Sequence, residues 1–469
     1  MQHAPVTASV AEFICRYREA ELPQDVAEYI RVLVFDGIGT LVAATHPKVS
    51  SSAGIGEFAA LHGGDGVATL IGQAKKVDVV NAALANGTRG YAVDMEPHHP
   101  EAILHPIAVM VPTALALSEA FDRSGRDFLK AIAVGCETTY RVSMAMRPKE
   151  LYALGFHPSA VCGTLGAATA ASVLLHLDQE QTVRALGLAG LQASGLMAWE
   201  DDPKEDARPF QMGMAARNGV TAALLAKQGF GGPDRIFDGG HNVLHAFSRI
   251  ATIDPLIDGL GTKWDGVLGL AVKPYSCVSF LHPALDALAR LVSQNNILSQ
   301  DVRTIELRFA ESGCHCIDAN PLRSHCAQYI LPVRLARGEL DFTNLFEDLR
   351  ESDEEVARLA ANTQVVRDRG EFEDLFPKFY VGEVALTKAN GDRLIERSDI
   401  ARGYPEAPLS QAEIEAKFDR LVGSVAGAER CQKLRQIAAD IHASETVRPL
   451  ADLLGQPAKN STRNTEVAA

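Results

Sequence analysis

Residues 91–106 read Tyr-Ala-Val-Asp-Met-Glu-Pro-His-His-Pro-Glu-Ala-Ile-Leu-His-Pro, and apolar, helix-like segments flank this stretch on both sides. It holds a dense set of ionisable side chains: Asp94, Glu96, Glu101, His98, His99 and His105. Its three prolines exclude a regular helix. Burying such a segment between two apolar helices is costly unless its polar groups are paired or used. The stretch is therefore either a solvated interhelical loop or part of a functional site.

The bulk composition bounds the class of protein. A chain of 469 residues, with 47 % hydrophobic and 22 % charged residues, indicates a soluble globular protein of two or three domains. Its formal net charge of −14 argues against nucleic acid and membrane surfaces as partners, because both attract basic proteins. No signal-peptide pattern and no apolar run of membrane-span length is found, so we expect a cytoplasmic location. The eight cysteines are interpreted as reduced, buried thiols.

The hydrophobic patterns predict a mainly α fold. From residue 10 to about residue 260 the pattern is almost wholly helical, and small residues recur at 163–173, 185–195 and 215–227, which lets helix backbones approach closely. Residues 302–310 alternate as a half-buried strand does, and Asn390-Gly391 between two β-rich runs indicates a hairpin. Helices are predicted between them, at 322–336 and 351–362, and again after residue 410. We predict an all-helical domain (1–266 and 403–455), an α/β lid domain (267–402) and a disordered tail (456–469).

Two further polar segments precede helices rich in small residues. His157 is followed by Pro158 at a predicted helix start, where free N–H groups and the helix dipole favour an anion. His157 is alternatively a cap or a packing group. Arg208 precedes a second such helix, and its guanidinium offers a bidentate fork for a carboxylate. Alternatively, Arg208 pairs with the acidic run at 200–206.

A fourth cluster, Lys273, Tyr275, Ser276 and His282, lies at the entry to the predicted lid. Lysine and tyrosine can hold carboxylates, and histidine is the natural proton carrier near neutral pH. The cysteines and histidines at 314–316 and 325–326 form a possible soft-ligand cluster, but their spacing matches no zinc pattern. We therefore predict no metal site.

Four motifs, in this order, resemble those of the MmgE/PrpD family, which includes 2-methylcitrate dehydratase, cis-aconitate decarboxylase and iminodisuccinate epimerase. The first is Asn86-Gly87 with Tyr91-Ala-Val-Asp94 and His105-Pro106, and the second is Gly155-Phe-His157-Pro-Ser. The third is Arg208-Pro-Phe-Gln-Met-Gly with Ala215-Ala-Arg-Asn-Gly, and the fourth is Lys273-Pro-Tyr-Ser-Cys with His282-Pro-Ala. The resemblance extends over residues 8 to 450.

This resemblance implies a homodimer with an active site between a helical domain and a lid, and no metal or organic cofactor. The reactions of the family share proton removal or delivery at a carbon next to a carboxylate. The resemblance implies catalytic roles for Asp94, His105, His157 and His282. It implies that Arg208, Lys273 and Tyr275 hold a small carboxylate substrate, and we add His98 and His99 as residues that contact it.

The chain departs from the family pattern around the substrate. Asp94-Met-Glu96-Pro97-His98 stands where Asp-x-Asp-Asp-Thr is common, and Arg208-Pro-Phe-Gln stands where Lys-Pro-Leu-His is common. An arginine cannot move a proton as a lysine can. Cys326 replaces a serine of the lid helix. These departures favour a related carboxylate over 2-methylcitrate or cis-aconitate themselves.

The predicted function is that of a lyase that dehydrates or decarboxylates a small di- or tricarboxylate. His105 or His157 serves as base or acid, and His282 or Tyr275 serves as its partner from the lid. One alternative is an epimerase of a dicarboxylate, which needs a base on each face of one carbon. Another is a catalytically silent homodimer that binds carboxylates.

Overall fold

The computed structural model describes residues 5–459. It is 58 % helical with few strands, which confirms the predicted mainly α class. None of the helices within residues 5–459 is both long and apolar enough to cross a membrane. Of the predicted tail, residues 456–459 lie against the last helices, with the Lys459 amide donating to the Val425 carbonyl at 3.0 Å. The remainder, 460–469, lies outside the described residues.

Residues 5–268 form helices joined by loops, with one short two-stranded ribbon. The helices are α1 (Val6–Arg16), α2 (Gln24–Ala43), α3 (Ser50–His62), α4 (Val79–Arg89), α5 (Pro106–Ala120), α6 (Gly125–Met146), α7 (Pro148–Ala153), α8 (Pro158–Leu174), α9 (Gln179–Gly190), α10 (Ala207–Lys227), α11 (Val243–Phe247), α12 (Asp254–Ile257) and α13 (Asp265–Leu268). The ribbon is made of β1 (Ala68–Thr69) and β2 (Lys76–Val77).

The later part of the chain adds a four-stranded sheet and then returns to helices. The strands are β3 (Val302–Ala310), β4 (Thr363–Asp368), β5 (Gly382–Lys388) and β6 (Arg393–Ser398). The helices among them are α14 (His282–Asn295), α15 (Glu311–Cys314), α16 (Ala327–Arg337), α17 (Leu349–Ser352), α18 (Glu354–Ala360) and α19 (Glu371–Leu375). The returning helices are α20 (Gln411–Ala426), α21 (Ala428–Ala439) and α22 (Arg448–Leu454).

Small residues let the central helices pack backbone against backbone, as predicted. A Cβ added at Gly166 of α8 would lie 1.9 Å from the Thr139 hydroxyl of α6. A Cβ added at Gly213 of α10 would lie 2.3 Å from the Leu84 carbonyl oxygen of α4. A side chain at either position would push these helices apart, so the glycines fix the spacing of the helices that carry the site.

The sheet has the order β4-β3-β5-β6, with β3 parallel to β4 and the other pairs antiparallel. The strand at 302–310 and the hairpin around Asn390-Gly391 are confirmed. Strand β4 was not predicted. It is an edge strand whose residues are mostly exposed or half-buried, so its sequence shows no clear alternation.

Two helical predictions need correction. The helix predicted at 322–336 begins only at Ala327, because Arg323–His325 forms a separate 3-10 turn in which the Ser324 hydroxyl contacts His325 Nδ1 at 2.8 Å. Cys326 therefore precedes α16 instead of lying inside it. The almost wholly helical pattern assigned to residues 10–260 was also too broad. Residues 228–242 are loop, because glycine and proline recur there.

Buried apolar side chains gather into two main cores. One belongs to α1–α13 together with α20–α22, and the other to residues 271–404. Phe35 of α2 stacks on Phe418 of α20 with ring centroids 4.3 Å apart, so the C-terminal helices rejoin the N-terminal ones. Residues 271–404 are called the sheet region below, and the remainder the helical region. The domain boundaries at 267 and 402 stay a prediction.

Candidate active site

The stretch 91–106 is buried where the helical and sheet regions meet. Asp94 adopts a left-handed backbone conformation, φ 53°, between the end of α4 and the start of α5. His98 pairs with Ala271 of the sheet region through two backbone hydrogen bonds of 3.0 and 2.7 Å. The Ser276 hydroxyl donates to the Val93 carbonyl at 2.6 Å. The alternative of a solvated loop is wrong, since Asp94, Glu96 and His98 are at most 2 % exposed.

Two carboxylates and two cations form the charged part of the site. Lys273 Nζ donates to the Asp94 carboxylate and lies 3.4 Å from Glu96 Oε1. Arg208 Nη1 lies 3.7 Å from Asp94 Oδ2. Burial favours the neutral acid, but Lys273 and Arg208 outweigh it and hold the pKa of Asp94 below its usual range. Burial lowers the pKa of Lys273, and Asp94 and Glu96 more than reverse this, so Lys273 stays charged and does not act as a base.

Arg208 is buried but has donor atoms to spare. Its guanidinium carbon stands 4.5 Å from the Tyr91 ring centroid and 5.9 Å from that of Trp199. Its Nε and Nη1 have no hydrogen-bond partner among residues 5–459. Of the acidic run 200–206, Glu205 approaches it, at 3.9 Å. An arginine offers five donors in a planar fork, so Arg208 can receive a carboxylate without giving up Asp94.

Aromatic side chains connect a group of buried imidazoles. The rings of His98 and His105 are 5.9 Å apart, and those of His98 and His282 are 6.2 Å apart. Tyr91 lies between His105 and His157, at 4.7 and 5.9 Å. Trp199 lies between His157 and His325, at 5.8 and 5.5 Å. The site therefore has a charged side and an imidazole side that share Tyr91.

The imidazoles are held neutral at pH 7. Burial lowers the pKa of His157, His282 and His325 to about 3 each. Burial and the charge of Lys273 put the pKa of His98 well below its usual value. Burial also lowers the pKa of His105, although Glu96 opposes this shift. Neutral imidazoles beside two cations can accept protons.

His157 and His105 have defined partners. The Nδ1 atom of His157 is 3.0 Å from Gln211 Oε1, and Gln211 Nε2 in turn donates to the Leu196 carbonyl at 2.8 Å. The amide oxygen can only accept, so Nδ1 carries the proton and Nε2 keeps its lone pair. His157 makes no capping hydrogen bond to α8, which excludes the cap alternative. His105 Nδ1 lies 2.7 Å from Glu96 Oε1.

Residues of the site line two separate spaces. A small cavity of about 40 Å³ is bounded by both regions of the chain, among others by His105, His157, Trp199, His325 and Tyr380. A groove of about 440 Å³ reaches Asp94 and Arg208 and is lined by Lys48, Lys204 and Arg323. Ligand pockets measure about 300–1,000 Å³. The groove is large enough for a small polycarboxylate, whereas the cavity must widen to admit one.

Three of the residues predicted for the site lie at its edge. The Tyr275 hydroxyl donates to Asp286 at 2.8 Å and is not brought to the Asp94 cluster. His99 lines the small cavity, but its Nε2 lies 3.0 Å from the Asp265 carbonyl and its ring packs on Tyr140 at 4.6 Å. His282 borders His98, with its Nε2 3.2 Å from the Cys277 carbonyl. The structure brings the other predicted residues together: Asp94, His98, His105, His157, Arg208 and Lys273.

Several residues at the site were not predicted for it. Trp199 contacts His157 and Arg208, Gln211 contacts His157, and His325 contacts Trp199. Lys417 of α20 pairs with Asp36 and donates to the Met95 carbonyl at 2.8 Å, so the C-terminal helices support the polar stretch. Sequence signals existed for two of them: Gln211 lies in the Arg208 motif, and His325 was considered only as a metal ligand.

The soft-ligand cluster considered at 314–316 and 325–326 does not converge. Cys314 Sγ contacts the Phe309 carbonyl at 3.7 Å, Cys326 Sγ contacts Gln328, and His325 lies beside Trp199. A different group could hold a metal ion: Glu200, His315 and Cys316 offer ligand atoms that lie within 4.8 Å of one another. This group lies outside the Asp94 cluster.

Known proteins match nearly the whole chain in sequence. The MmgE/PrpD N-terminal domain matches residues 8–255, and the MmgE/PrpD C-terminal domain matches residues 275–443. The cis-aconitate decarboxylase-like protein oryM of Aspergillus oryzae is 29 % identical, covering 96 % of this chain and 97 % of that protein. Cis-aconitate decarboxylase of Aspergillus terreus is 26 % identical, covering 97 % of both chains. The human cis-aconitate decarboxylase is also 26 % identical, covering 96 % of this chain and 95 % of its own. The chain belongs to the MmgE/PrpD family.

Proposed function

We propose that this protein is a lyase that acts on a small di- or tricarboxylate, with decarboxylation of a cis-aconitate-like acid as the leading reaction. The observation that carries the proposal is Arg208, a buried guanidinium with unfilled donors, facing a group of neutral imidazoles. The names of the relatives favour decarboxylation over dehydration. The altered residues around Asp94 and Arg208 leave room for a substrate other than cis-aconitate.

Substrate carboxylates would reach the site through the groove that ends at Asp94 and Arg208. Four cationic side chains line it, Lys48, Lys204, Arg208 and Arg323, and three carboxylates also line it, Asp94, Glu205 and Asp206. In the proposal the four cations attract the anionic substrate locally in an otherwise acidic protein. In the proposal, Arg208 donates to one carboxylate from an unfilled nitrogen, Nε or Nη1, and Lys273 stays paired with Asp94 while adding positive charge nearby. The reacting carbon would then lie toward His105 and His157.

Decarboxylation needs one proton and stabilisation of one electron pair. The carbon–carbon bond to the leaving carboxylate breaks, carbon dioxide leaves, and the electron pair is shared with a neighbouring carboxylate as an enediolate. The Arg208 and Lys273 cations stabilise that charge, which is usually the larger part of such catalysis. An imidazolium then delivers a proton to carbon, and the bound carboxylates favour its formation because they raise histidine pKa values. His157 is our candidate, because Gln211 fixes its tautomer with Nε2 toward the cavity.

An epimerase remains the second candidate. It needs proton carriers on opposite faces of one carbon and no leaving group. His157 of the helical region and His325 of the sheet region flank Trp199, at 5.8 and 5.5 Å, which suits such a pair. In either reaction we propose that the sheet region acts as a lid whose movement widens the small cavity. A homodimer is proposed on the family resemblance alone.

The test is nuclear magnetic resonance in D₂O with cis-aconitate and with citrate-, itaconate- and succinate-type acids, combined with a carbon dioxide assay. A lyase releases carbon dioxide or water and places deuterium next to a carboxylate, whereas an epimerase only exchanges deuterium. We expect His157→Asn to lower the rate by about 10²–10⁴-fold, the usual contribution of a positioned acid or base. His176→Asn is the matched control, since exposed His176 follows the other end of α8. Binding without exchange or product for any acid would instead establish the silent carboxylate binder.

A further inference from the structure

A second cluster of ligating side chains lies at the junction of the two regions, outside the Asp94 cluster. Glu200 comes from the 3-10 helix Met197–Asp201 of the helical region. His315 and Cys316 follow α15 in the sheet region. Tyr152 of α7 completes the group, with its hydroxyl against Cys316 Sγ and its ring 5.7 Å from that of His315. The proposed reaction gives no role to these three groups, a carboxylate, an imidazole and a thiol that come together from two regions of the chain.

The separations fit a tetrahedral metal site. Cys316 Sγ lies 3.6 Å from Glu200 Oε1 and 3.6 Å from His315 Nε2. Zinc binds sulfur at about 2.3 Å and nitrogen or oxygen at about 2.0–2.1 Å, so two tetrahedral ligands stand about 3.5 Å apart. All three ligand atoms lie within 4.8 Å of one another. His315 is exposed, so its ring can turn to shorten its distance to Glu200.

Burial and charge also suit a cation. Cys316 is buried, Glu200 is half-buried and His315 is exposed, so the cluster opens to solvent on the histidine side. Asp201 and Asp202 follow Glu200 and add negative charge. Burial raises the pKa of Cys316 and that of Glu200, which favours their neutral forms in the absence of a cation. A bound divalent ion reverses this preference, since it coordinates the thiolate and the carboxylate.

We propose that Glu200, His315 and Cys316 bind one divalent transition-metal ion, with zinc the best match, and thereby tie the helical region to the sheet region. Thiolate, imidazole and carboxylate are ligand types that zinc accepts, and three protein ligands leave a fourth position for water. The Tyr152 hydroxyl, which contacts the sulfur, orients it from outside the metal's ligand set. Because Trp199 precedes Glu200 and contacts Arg208 and His325, the ion steadies one wall of the proposed active site.

The test uses the full chain without an affinity tag, equilibrated with zinc sulfate or cobalt chloride, dialysed, and analysed by elemental mass spectrometry. We expect one ion per chain in the wild type and, for cobalt, a thiolate-to-metal charge-transfer absorption. Cys316→Ser and His315→Ala should lose the stoichiometric ion and the absorption. Cys314→Ser is the matched control that keeps both, since Cys314 faces the Phe309 carbonyl. No stoichiometric ion in the wild type, or equal uptake in Cys316→Ser, would overturn the site.

The tie between the two regions has its own readout. Glu200→Gln should weaken zinc binding about 10-fold or more, since a charged ligand is lost. Hydrogen exchange of residues 311–326 should slow with zinc in the wild type and not in Glu200→Gln. Zinc binding that is equally tight in Glu200→Gln would restrict the site to the sheet region and contradict the tie. Neither readout depends on turnover, so failure of the proposed lyase activity leaves this test intact.

Discussion

Two buried arginines, Arg141 and Arg208, show how differently this protein uses the same pairing of guanidinium and carboxylate. Arg141 of α6 donates to Glu137 at 2.7 Å, and its remaining donors reach carbonyl oxygens between 3.0 and 3.2 Å away. Glu137 in turn accepts from the Gly266 amide at 2.8 Å. These hydrogen bonds join α6 to residues 255–266. The polar atoms of Arg141 and Glu137 therefore serve to hold the fold together.

Arg208 stands 3.7 Å from its nearest carboxylate, Asp94, and keeps two nitrogens without partners among the described residues. A buried polar group left unpaired costs stability, so its persistence indicates a use outside the fold. The contrast teaches that burial and charge alone do not mark a functional site. The Asp94 region differs because Arg208 keeps two nitrogen donors without hydrogen-bond partners among the described residues.

The largest expected difference between the Arg141 site and the Arg208 site is in the free energy of unfolding after substitution. Arg141→Met should lower the free energy of unfolding by about 3–5 kcal/mol, because Glu137 and the carbonyl oxygens lose their donor inside the protein. Arg208→Met should cost much less, since Asp94 keeps Lys273. Urea unfolding followed by circular dichroism measures both. Equal losses in the two variants would mean that Arg208 is as structural as Arg141.

The next effect is on catalysis. Arg208→Met should lower kcat/KM toward the active carboxylate by about 10²–10³-fold, as expected when a donor to developing negative charge is removed. Arg208→Lys keeps the charge but loses the planar fork, so it should recover only part of the rate. Folding is checked by the melting temperature of each variant. Full activity in Arg208→Met would remove Arg208 from the substrate site.

A residue of the site can be predicted when its neighbours in sequence form a recognisable motif, and not when its role depends on contacts with distant parts of the chain. Asp94, His157, Arg208 and Lys273 could be predicted because each lies in a local motif with an interpretable neighbourhood. Trp199 and His325 could not, because their contact depends on a 3-10 helix and a turn from distant parts of the chain. Arg141 carries one local signal, its i,i+4 spacing from Glu137, but its other partners are backbone carbonyls that any sequence provides.

The elements of the fold that could be predicted are likewise those with a local sequence pattern. The helices followed from apolar periodicity, and the close approach of α8 and α10 to their neighbours followed from small residues. Strand β4 was missed because an edge strand lacks the alternation of a half-buried one. The start of α16 was placed too early because the Ser324–His325 contact within the preceding turn is a local interaction that hydrophobic pattern does not report.

Binding of a carboxylate sharpens the contrast further. At 100 times its Kd, a substrate or product acid should stabilise the wild type by about 2.7 kcal/mol and Arg208→Met much less. The added negative charge should raise the pKa values of neutral His105 and His157, so binding should take up protons at pH 7. Calorimetric titration in two buffers of different ionisation enthalpy measures that uptake. Binding with no proton exchange would count against histidine as the acid in the proposed reaction.

The smallest expected effect is on how the free energy of unfolding changes with pH. This change has opposite signs for His157 and for Glu137. Burial lowers the pKa of His157 to about 3, below the value near 6.5 of an unfolded histidine, so the unfolded chain binds the proton first. The stability due to neutral His157 is therefore full at pH 7 and is lost as the pH falls below about 6.5. Between pH 7 and pH 5.5 this one group should cost about 1 kcal/mol.

Glu137 acts in the opposite direction. Burial raises its pKa to about 7, above the value near 4.5 of an unfolded glutamate, so the folded chain holds the proton longer. Its contribution is full below about pH 4.5 and is lost as the pH rises toward 7. His157→Asn should make the acid-side loss of stability shallower, and Glu137→Gln should make it steeper, because the variant lacks the group that gains on acidification. Urea unfolding at pH 5.5, 6.25 and 7 resolves the two slopes. If both variants show the same slope of unfolding free energy against pH, then burial of His157 and of Glu137 does not determine how stability changes with pH.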